Sequence, residues 1–74
     1  MAKLEFVNLG QGDVLRTTPR AALFRLESTG DEVWIPYSVL STPTAAETEY
    51  GATIERIRVE SWFAEKNELE TEAD

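Results

Sequence analysis

The sequence predicts a mainly β domain that ends in one short helix. Three observations lead to this class. Short segments of β-type residues recur along the chain, turns rich in glycine, proline and threonine separate them, and 74 residues leave room for only one small core. We expect a single domain over residues 1–69, followed by an acidic and frayed tail over residues 70–74.

The chain begins with two predicted strands and a turn between them. Residues 3–9, K-L-E-F-V-N-L, form the first predicted strand, and residues 14–17 form a second short strand. The segment G-Q-G-D at positions 10–13 supplies the residue types that a tight turn needs. Pro19 ends the second strand, because proline has no N–H to donate to a ladder.

The clearest unit is a hairpin. Residues 20–27 and residues 32–37 are rich in apolar side chains, and they flank a loop of turn-forming residues at positions 28–31. Pairing Glu27 with Glu32 gives the predicted register, since it places six apolar or aromatic side chains on one face. The predicted core-facing pairs are Leu26 with Val33, Phe24 with Ile35, and Ala22 with Tyr37.

The second half of the chain adds a loop, a strand and a helix. Residues 41–51 are rich in threonine, alanine and glutamate, and we expect an exposed loop there. Residues 52–60 form the last strand, and a change of parity in their apolar positions predicts a β-bulge near position 55. A short helix is predicted over residues 62–69. Four or five strands closed by a helical turn suggest a small barrel of the SH3-like or OB-like kind.

The residue types that most enzyme and metal sites use are missing. The chain has neither cysteine nor histidine, which excludes a disulfide framework and a zinc site with nitrogen and sulfur ligands. The G-x-G at positions 10–12 lacks the third glycine and the following helix of a dinucleotide site. The acidic residues lie in turns or in the tail, where carboxyl groups are solvated. We therefore expect a non-enzymatic protein with no cofactor and no metal ion.

The net charge of −7 is unevenly distributed. Residues 1–59 carry eight acidic and six basic side chains, a net of −2, whereas residues 60–74 carry six acidic side chains and one lysine, a net of −5. The acidity therefore belongs mainly to the tail. No apolar run approaches the roughly 20 residues needed to cross a bilayer, and no signal-peptide pattern opens the chain. We expect a cytoplasmic protein without a membrane partner.

Four residues are predicted to form one partner-binding patch on the outer face of the hairpin. The register puts Arg25 beside Trp34, where a guanidinium can stack on an indole. Arg56 and Arg58 point outward from the last strand and join the patch if that strand neighbours the hairpin. Tryptophan and arginine dominate protein hot spots, and aromatic rings between arginines also suit single-stranded nucleic acid. In the structural alternative, the C-terminal helix simply covers Trp34.

Two segments resemble small proteins of bacteriophages and mobile elements. Residues 20–40 are similar to their pattern of K-A-x-L followed by V-W-I-P-x-S-x-I, and residues 57–67 are similar to their ending V-x-x-W-F-A-x-K. The chain departs from the pattern at Arg20, where lysine is common, and at Tyr37, where lysine or arginine is common. The resemblance implies a phage-type origin and an accessory role without catalysis, as a helper of phage DNA metabolism or an inhibitor of a host defence system. It assigns no functional residue.

Three functions are compatible with the sequence. We expect an accessory module that binds a host or phage protein through the Trp34 face, the loop at residues 41–51, or both. One alternative is a module for single-stranded nucleic acid, whose acidic tail competes for the arginines. Another is an assembly subunit that forms a homo-oligomer. Imitation of nucleic acid ranks lower, because it needs carboxylates along the body, and the net charge of residues 1–59 is only −2.

Overall fold

The computed structural model describes residues 5–72, apart from the side chain of Ala45. This range contains seven strands, two short 3-10 turns and one helix. The strands are β1 (Phe6–Asn8), β2 (Gly12–Thr17), β3 (Ala21–Leu26), β4 (Glu32–Pro36), β5 (Leu40–Thr42), β6 (Thr53–Ile54) and β7 (Arg58–Glu60), the 3-10 turns are Tyr37–Val39 and Ala45–Glu47, and the helix is α1 (Ser61–Lys66).

The strands form two antiparallel sheets. The three-stranded sheet has the order β1-β7-β5, and the four-stranded sheet has the order β4-β3-β2-β6. The predicted class, a mainly β domain with one short C-terminal helix, is confirmed. The domain therefore consists of two sheets whose inner faces share one core.

The core draws side chains from both sheets and from α1. In β3, residues at even positions are buried and those at odd positions are at least partly exposed, as expected for a strand with one face on the core. Phe24 and Ile35 are fully buried, so their prediction as core residues is confirmed. The buried apolar set is Leu9, Val14, Ala22, Phe24, Leu26, Ile35, Val39, Ile57, Val59, Phe63 and Ala64.

The predicted register of the hairpin is wrong by two residues. Phe24 pairs with Val33, and Ala22 pairs with Ile35. The loop closes one residue earlier on β3 than predicted, because the N–H of Gly30 donates to the carbonyl of Leu26 at 2.7 Å. Gly30 has a φ of +78° there, which glycine adopts without strain. A shift of two residues keeps every side chain on its face, so the assignment of inner and outer residues holds while the cross-strand partners change.

The predicted last strand, residues 52–60, is two strands in different sheets. β6 pairs with β2, whereas β7 pairs with β1 and β5. The change of parity near position 55, interpreted above as a bulge, marks the segment at residues 55–57 that carries the chain from one sheet to the other. The last strand therefore does not neighbour the hairpin.

The segments at residues 10–13 and 41–51 also differ from their predictions. Gly10 has the positive φ expected of a turn, at +86°, but β1 and β2 lie in different sheets and do not pair. Gly12 begins β2, and a Cβ there would lie within 3 Å of the Ile57 side chain and the Arg25 carbonyl oxygen. The predicted exposed loop at residues 41–51 contains the end of β5 and a 3-10 turn.

The C-terminal segment returns to the three-stranded sheet. Helix α1 ends at Lys66, before the predicted end at residue 69, and the Leu69 side chain packs against the core. Further on, the N–H of Glu72 donates to the carbonyl of Asn8 at 2.7 Å. The tail that was predicted to be frayed is therefore paired with β1 at Glu72. Positions 73 and 74 of that tail, and positions 3 and 4 of the predicted first strand, lie outside the described residues.

Candidate partner-binding surface

Trp34 lies at the centre of β4, which is the terminal strand of the four-stranded sheet. Its side chain is on the outer face, and 47% of the residue is exposed. Strand pairing sets Leu23 of β3 directly opposite Trp34, and Pro36 lies two residues along the same strand, on the same face. We call Leu23, Trp34 and Pro36 the Trp34 surface. It is an apolar surface at the edge of a sheet.

Arg25 is engaged with an acidic neighbour instead of with Trp34. Its Nη2 atom lies 3.3 Å from Oδ2 of Asp13, the residue opposite it on β2. The hydroxyl of Thr53 donates to the other carboxylate oxygen of Asp13 at 2.9 Å. The corrected register explains this, since Arg25 now faces Glu32 on β4 and is only diagonal to Trp34. The predicted stacking of this guanidinium on the indole is therefore wrong.

Arg56 and Arg58 belong to a different part of the molecule from the Trp34 surface. Arg56 lies in the segment between β6 and β7, and Arg58 begins β7 in the three-stranded sheet. Both line a wide, open depression of about 780 Å³, together with Glu47 and Glu55. These two carboxylates place negative charge beside the two guanidinium groups.

The four predicted patch residues therefore divide into two groups. A second depression, of about 420 Å³, is lined by Arg25 and Asp13. It shares Gln11 and Thr53 with the depression at Arg56 and Arg58. The structure thus brings the three arginines to one side-by-side pair of depressions, while Trp34 lines neither of them. The two depressions together are called the arginine depressions below.

The second tryptophan has intramolecular partners that Trp34 does not have. Trp62 is 49% exposed, close to the value for Trp34. Its Nε1 donates to Oε1 of Glu60 at 2.8 Å, and its ring meets Phe63 edge-on, with centroids 5.9 Å apart. Within residues 5–72 this is the only aromatic ring pair. The alternative in which Trp62 or Phe63 packs against Trp34 is therefore wrong.

The 3-10 turn that ends at Glu47 contains a local carboxylate interaction. The backbone N–H and the hydroxyl of Thr44 both donate to Oε1 of Glu47, at 2.9 and 3.0 Å. These bonds, the backbone one first, hold the pKa of Glu47 below its ordinary value. The sequence signal was present, because T-x-x-E at residues 44–47 is the spacing of a capping box. The shift reflects this turn rather than acid–base chemistry.

Comparison with known proteins adds no relative. No protein-family model, curated protein or solved structure matches the chain. Among the described residues, no group of three or more carboxylates is arranged to hold a metal ion. The same part of the chain contains no helix long and apolar enough to cross a membrane.

Proposed function

We propose that the protein is a non-enzymatic module that binds a protein partner through the Trp34 surface. The observation that carries the proposal is a half-exposed tryptophan on a terminal strand, flanked by apolar Leu23 and Pro36. Tryptophan is enriched at the centres of protein interfaces, where it buries a large rigid ring. A phage or mobile-element origin, a place in the host cytoplasm and a role as an accessory or inhibitor follow from the motif resemblance.

The arrangement of the arginines favours a protein partner over a nucleic acid. Binding of single strands combines a basic groove with stacking rings. Here Arg25 is paired with Asp13, and Glu47 and Glu55 flank the other two arginines. No aromatic residue lines the arginine depressions. The basic side chains and the aromatic rings that a nucleic-acid surface combines are thus in separate places.

The fold supports a finer proposal about architecture. We propose that the two sheets are the halves of a small SH3-like or OB-like barrel. The chain crosses between them four times. Three crossings are short, at residues 9–11, at the 3-10 turn Tyr37–Val39 and at residues 55–57, and the fourth is the longer segment at residues 43–52. Short crossings of this kind, around one shared core, are typical of small barrels. In this arrangement the outer face of β3 and β4 is a binding face carried on a rigid scaffold.

The test compares two tryptophan variants. Tagged wild-type protein, Trp34→Ala and Trp62→Ala are used to capture proteins from a host lysate, and the captured proteins are quantified by mass spectrometry. We expect a defined protein to be lost with Trp34→Ala and retained with Trp62→Ala. Trp62→Ala is the matched control, because the two tryptophans are exposed to nearly the same extent. Thermal unfolding must show that both variants fold. Equal capture by wild-type protein and Trp34→Ala would contradict the proposal.

One observation favours a nucleic-acid module as the second candidate. Glu72, in the acidic tail, lines a depression together with Gln11 and Glu55, and both of these residues also border Arg56. A tail that competes with nucleic acid for the arginines must place negative charge beside the arginine depressions, and Glu72 lies there. Glu70→Gln combined with Glu72→Gln should then tighten the binding of a single-stranded oligonucleotide, and added salt should weaken it. An absence of binding at low salt by this double variant excludes the candidate.

The third candidate, an assembly subunit, has a simple test. It predicts a mass that rises with protein concentration in sedimentation equilibrium. A monomer at every concentration excludes it, whatever the outcome of the capture experiment.

A further inference from the structure

The backbone of β4 has an open edge, and strand pairing shows which of its groups face outward. The N–H of Leu26 donates to the carbonyl of Asp31, and the N–H of Tyr37 donates to the carbonyl of Arg20. In an antiparallel ladder, hydrogen-bonded and non-hydrogen-bonded pairs alternate. The residues of β4 at even positions therefore direct their backbone groups away from β3. These residues are Glu32, Trp34 and Pro36.

The outward groups have a definite donor and acceptor pattern. Glu32 and Trp34 each present an N–H and a carbonyl, whereas Pro36 presents a carbonyl alone, because proline has no N–H. No backbone hydrogen bond from another described element reaches these groups. An open edge of this kind is a template for one more strand. The side chain of Trp34 lies beside that edge, on the outer face.

We infer that the β4 edge of this protein takes up an extended segment of its partner as a fifth strand of the four-stranded sheet. This inference rests on the proposed function and specifies how the Trp34 surface is used. Strand addition is a common mode of peptide recognition, in which main-chain hydrogen bonds supply affinity and side-chain contacts supply specificity. Here an apolar residue of the segment packs on Trp34.

The charges around the edge define the chemistry of the segment. Glu27, Asp31 and Glu32 are exposed at the hairpin end of β4. The one ion pair found within residues 5–72 joins Arg25 to Asp13, so none of these three carboxylates is neutralised by an ion pair there. A segment with lysine or arginine at this end would be attracted. The partner strand therefore carries an apolar residue opposite Trp34 and a basic residue opposite Glu32, two positions along on the same face.

A second copy of the chain is a poorer occupant. Symmetric antiparallel pairing about Trp34 would set Glu32 of one copy opposite Pro36 of the other. Each such pair loses one hydrogen bond, since Pro36 cannot donate. Each copy also carries a net charge of −7, which opposes association. A foreign basic strand loses a hydrogen bond at one Pro36 instead of two, and it meets no repulsion from like charge.

The experiment uses capped synthetic peptides in which lysine and valine take turns at every second position, with threonine between them, so that both lie on the face that meets Glu32 and Trp34. The matched peptides carry glutamate in place of lysine, or N-methyl groups along one edge. The protein carries Trp62→Phe, so that Trp34 is the only fluorescent tryptophan, and amide hydrogen exchange is followed by NMR. We expect the lysine peptide to change Trp34 fluorescence and to protect the amides of Glu32 and Trp34. The glutamate peptide should bind at least about tenfold more weakly, because it meets the acidic end of the edge.

A pair of substitutions at one position separates charge from hydrogen bonding. Glu32→Gln removes the charge and keeps the N–H, whereas Glu32→Pro removes both without breaking a bond to β3. We expect weaker peptide binding for Glu32→Gln and none for Glu32→Pro. If Glu32→Pro does not fold, the N-methyl peptide supplies the same test, and it should not bind.

Failure of the inference and failure of the proposed function give different results. If no lysine peptide binds, or if the amides of Glu32 and Trp34 stay unprotected, strand addition is wrong. If both peptides bind equally, the inferred basic chemistry of the segment is wrong. In either case the loss of capture by Trp34→Ala still supports a protein-binding surface. If Trp34→Ala captures as wild type does, the proposed function itself is wrong.

Discussion

The two tryptophans are exposed to nearly the same extent, yet their surroundings differ. Trp62 lies in the first turn of the C-terminal helix, donates to Glu60 and packs its ring edge-on against Phe63. Trp34 lies on a terminal strand beside Leu23, and within the described part of the chain its indole has no hydrogen bond or ring contact. Exposure alone would mark both residues as binding sites.

This difference shows that the role of an exposed aromatic residue depends on its contacts within the chain as well as on its exposure. The contacts of Trp62 are made within the chain, and they hold the start of α1 against the end of β7. Trp34 makes no such contacts within the described residues, and we propose that its ring and the adjacent backbone edge face another molecule. Trp62 is therefore expected to matter for stability, and Trp34 for binding.

The largest expected loss of stability comes from a substitution beneath the Trp34 surface. Phe24 is fully buried on the inner face of β3, next to Leu23 in the chain. Phe24→Ala should destabilise the domain by about 3–5 kcal/mol, through lost burial and the cavity left behind. Because a domain of this size has little stability in reserve, urea unfolding should show little or no native baseline. A loss of under about 1 kcal/mol would mean that the inner face of β3 is wrongly assigned.

The next effect separates the two tryptophans by stability. Since the exposed fractions nearly match, the apolar burial lost in Trp62→Ala and Trp34→Ala is similar. Trp62→Ala also removes a hydrogen bond and an edge-on ring contact, so it should cost about 1 kcal/mol more than Trp34→Ala. Thermal unfolding of both variants in one buffer measures the difference. The reverse order would show that Trp34 has the stronger intramolecular contacts.

A smaller effect is expected at the ion pair between Arg25 and Asp13. Both side chains are about half exposed, so solvent and salt screen the interaction. A double-mutant cycle with Arg25→Gln and Asp13→Asn should give a coupling of about 0.2–1 kcal/mol, which decreases as salt is added. A larger coupling that does not respond to salt would show that Arg25 contributes to stability as much as the core does.

The smallest effect is a shift in titration, away from both tryptophans. The hydrogen bonds from Thr44 lower the pKa of Glu47 and favour its ionised form. Their stabilisation is present above the ordinary pKa of the carboxyl and is lost as pH falls through its lowered value. Thr44→Val removes the hydroxyl bond and keeps the backbone bond, so the pKa should rise part of the way. NMR titration of the Glu47 carboxyl carbon checks this, and an unchanged titration would contradict it.

Local patterns predicted the faces of the hairpin but not its register. Alternation along β3 and β4 is enough to place Phe24 and Ile35 inside, and Arg25 and Trp34 outside. The two-residue shift in register depends on how the loop closes at Gly30, and several registers preserve the same alternation. The partners of Trp34 and Arg25 therefore required the structure.

The partition of strands between two sheets could not be predicted for a different reason. The pairing of β7 with β1 and β5 joins residues far apart in sequence, and no local pattern encodes it. The change of parity near position 55 was a real signal, but a bulge and a change of sheet give the same pattern. This partition separates Arg56 and Arg58 from the Trp34 surface, whereas the corrected register separates Arg25 from Trp34.

The central claim is that the Trp34 surface binds a protein partner while Trp62 supports the fold. The most direct measurement is the affinity of a captured partner for Trp34→Ala and Trp62→Ala, by calorimetry below the unfolding temperature of both. We expect Trp34→Ala to lose about 2 kcal/mol or more of binding free energy, as hot-spot residues do, and Trp62→Ala to bind as wild type does. Equal losses by both variants, or a loss confined to Trp62→Ala, would contradict the claim.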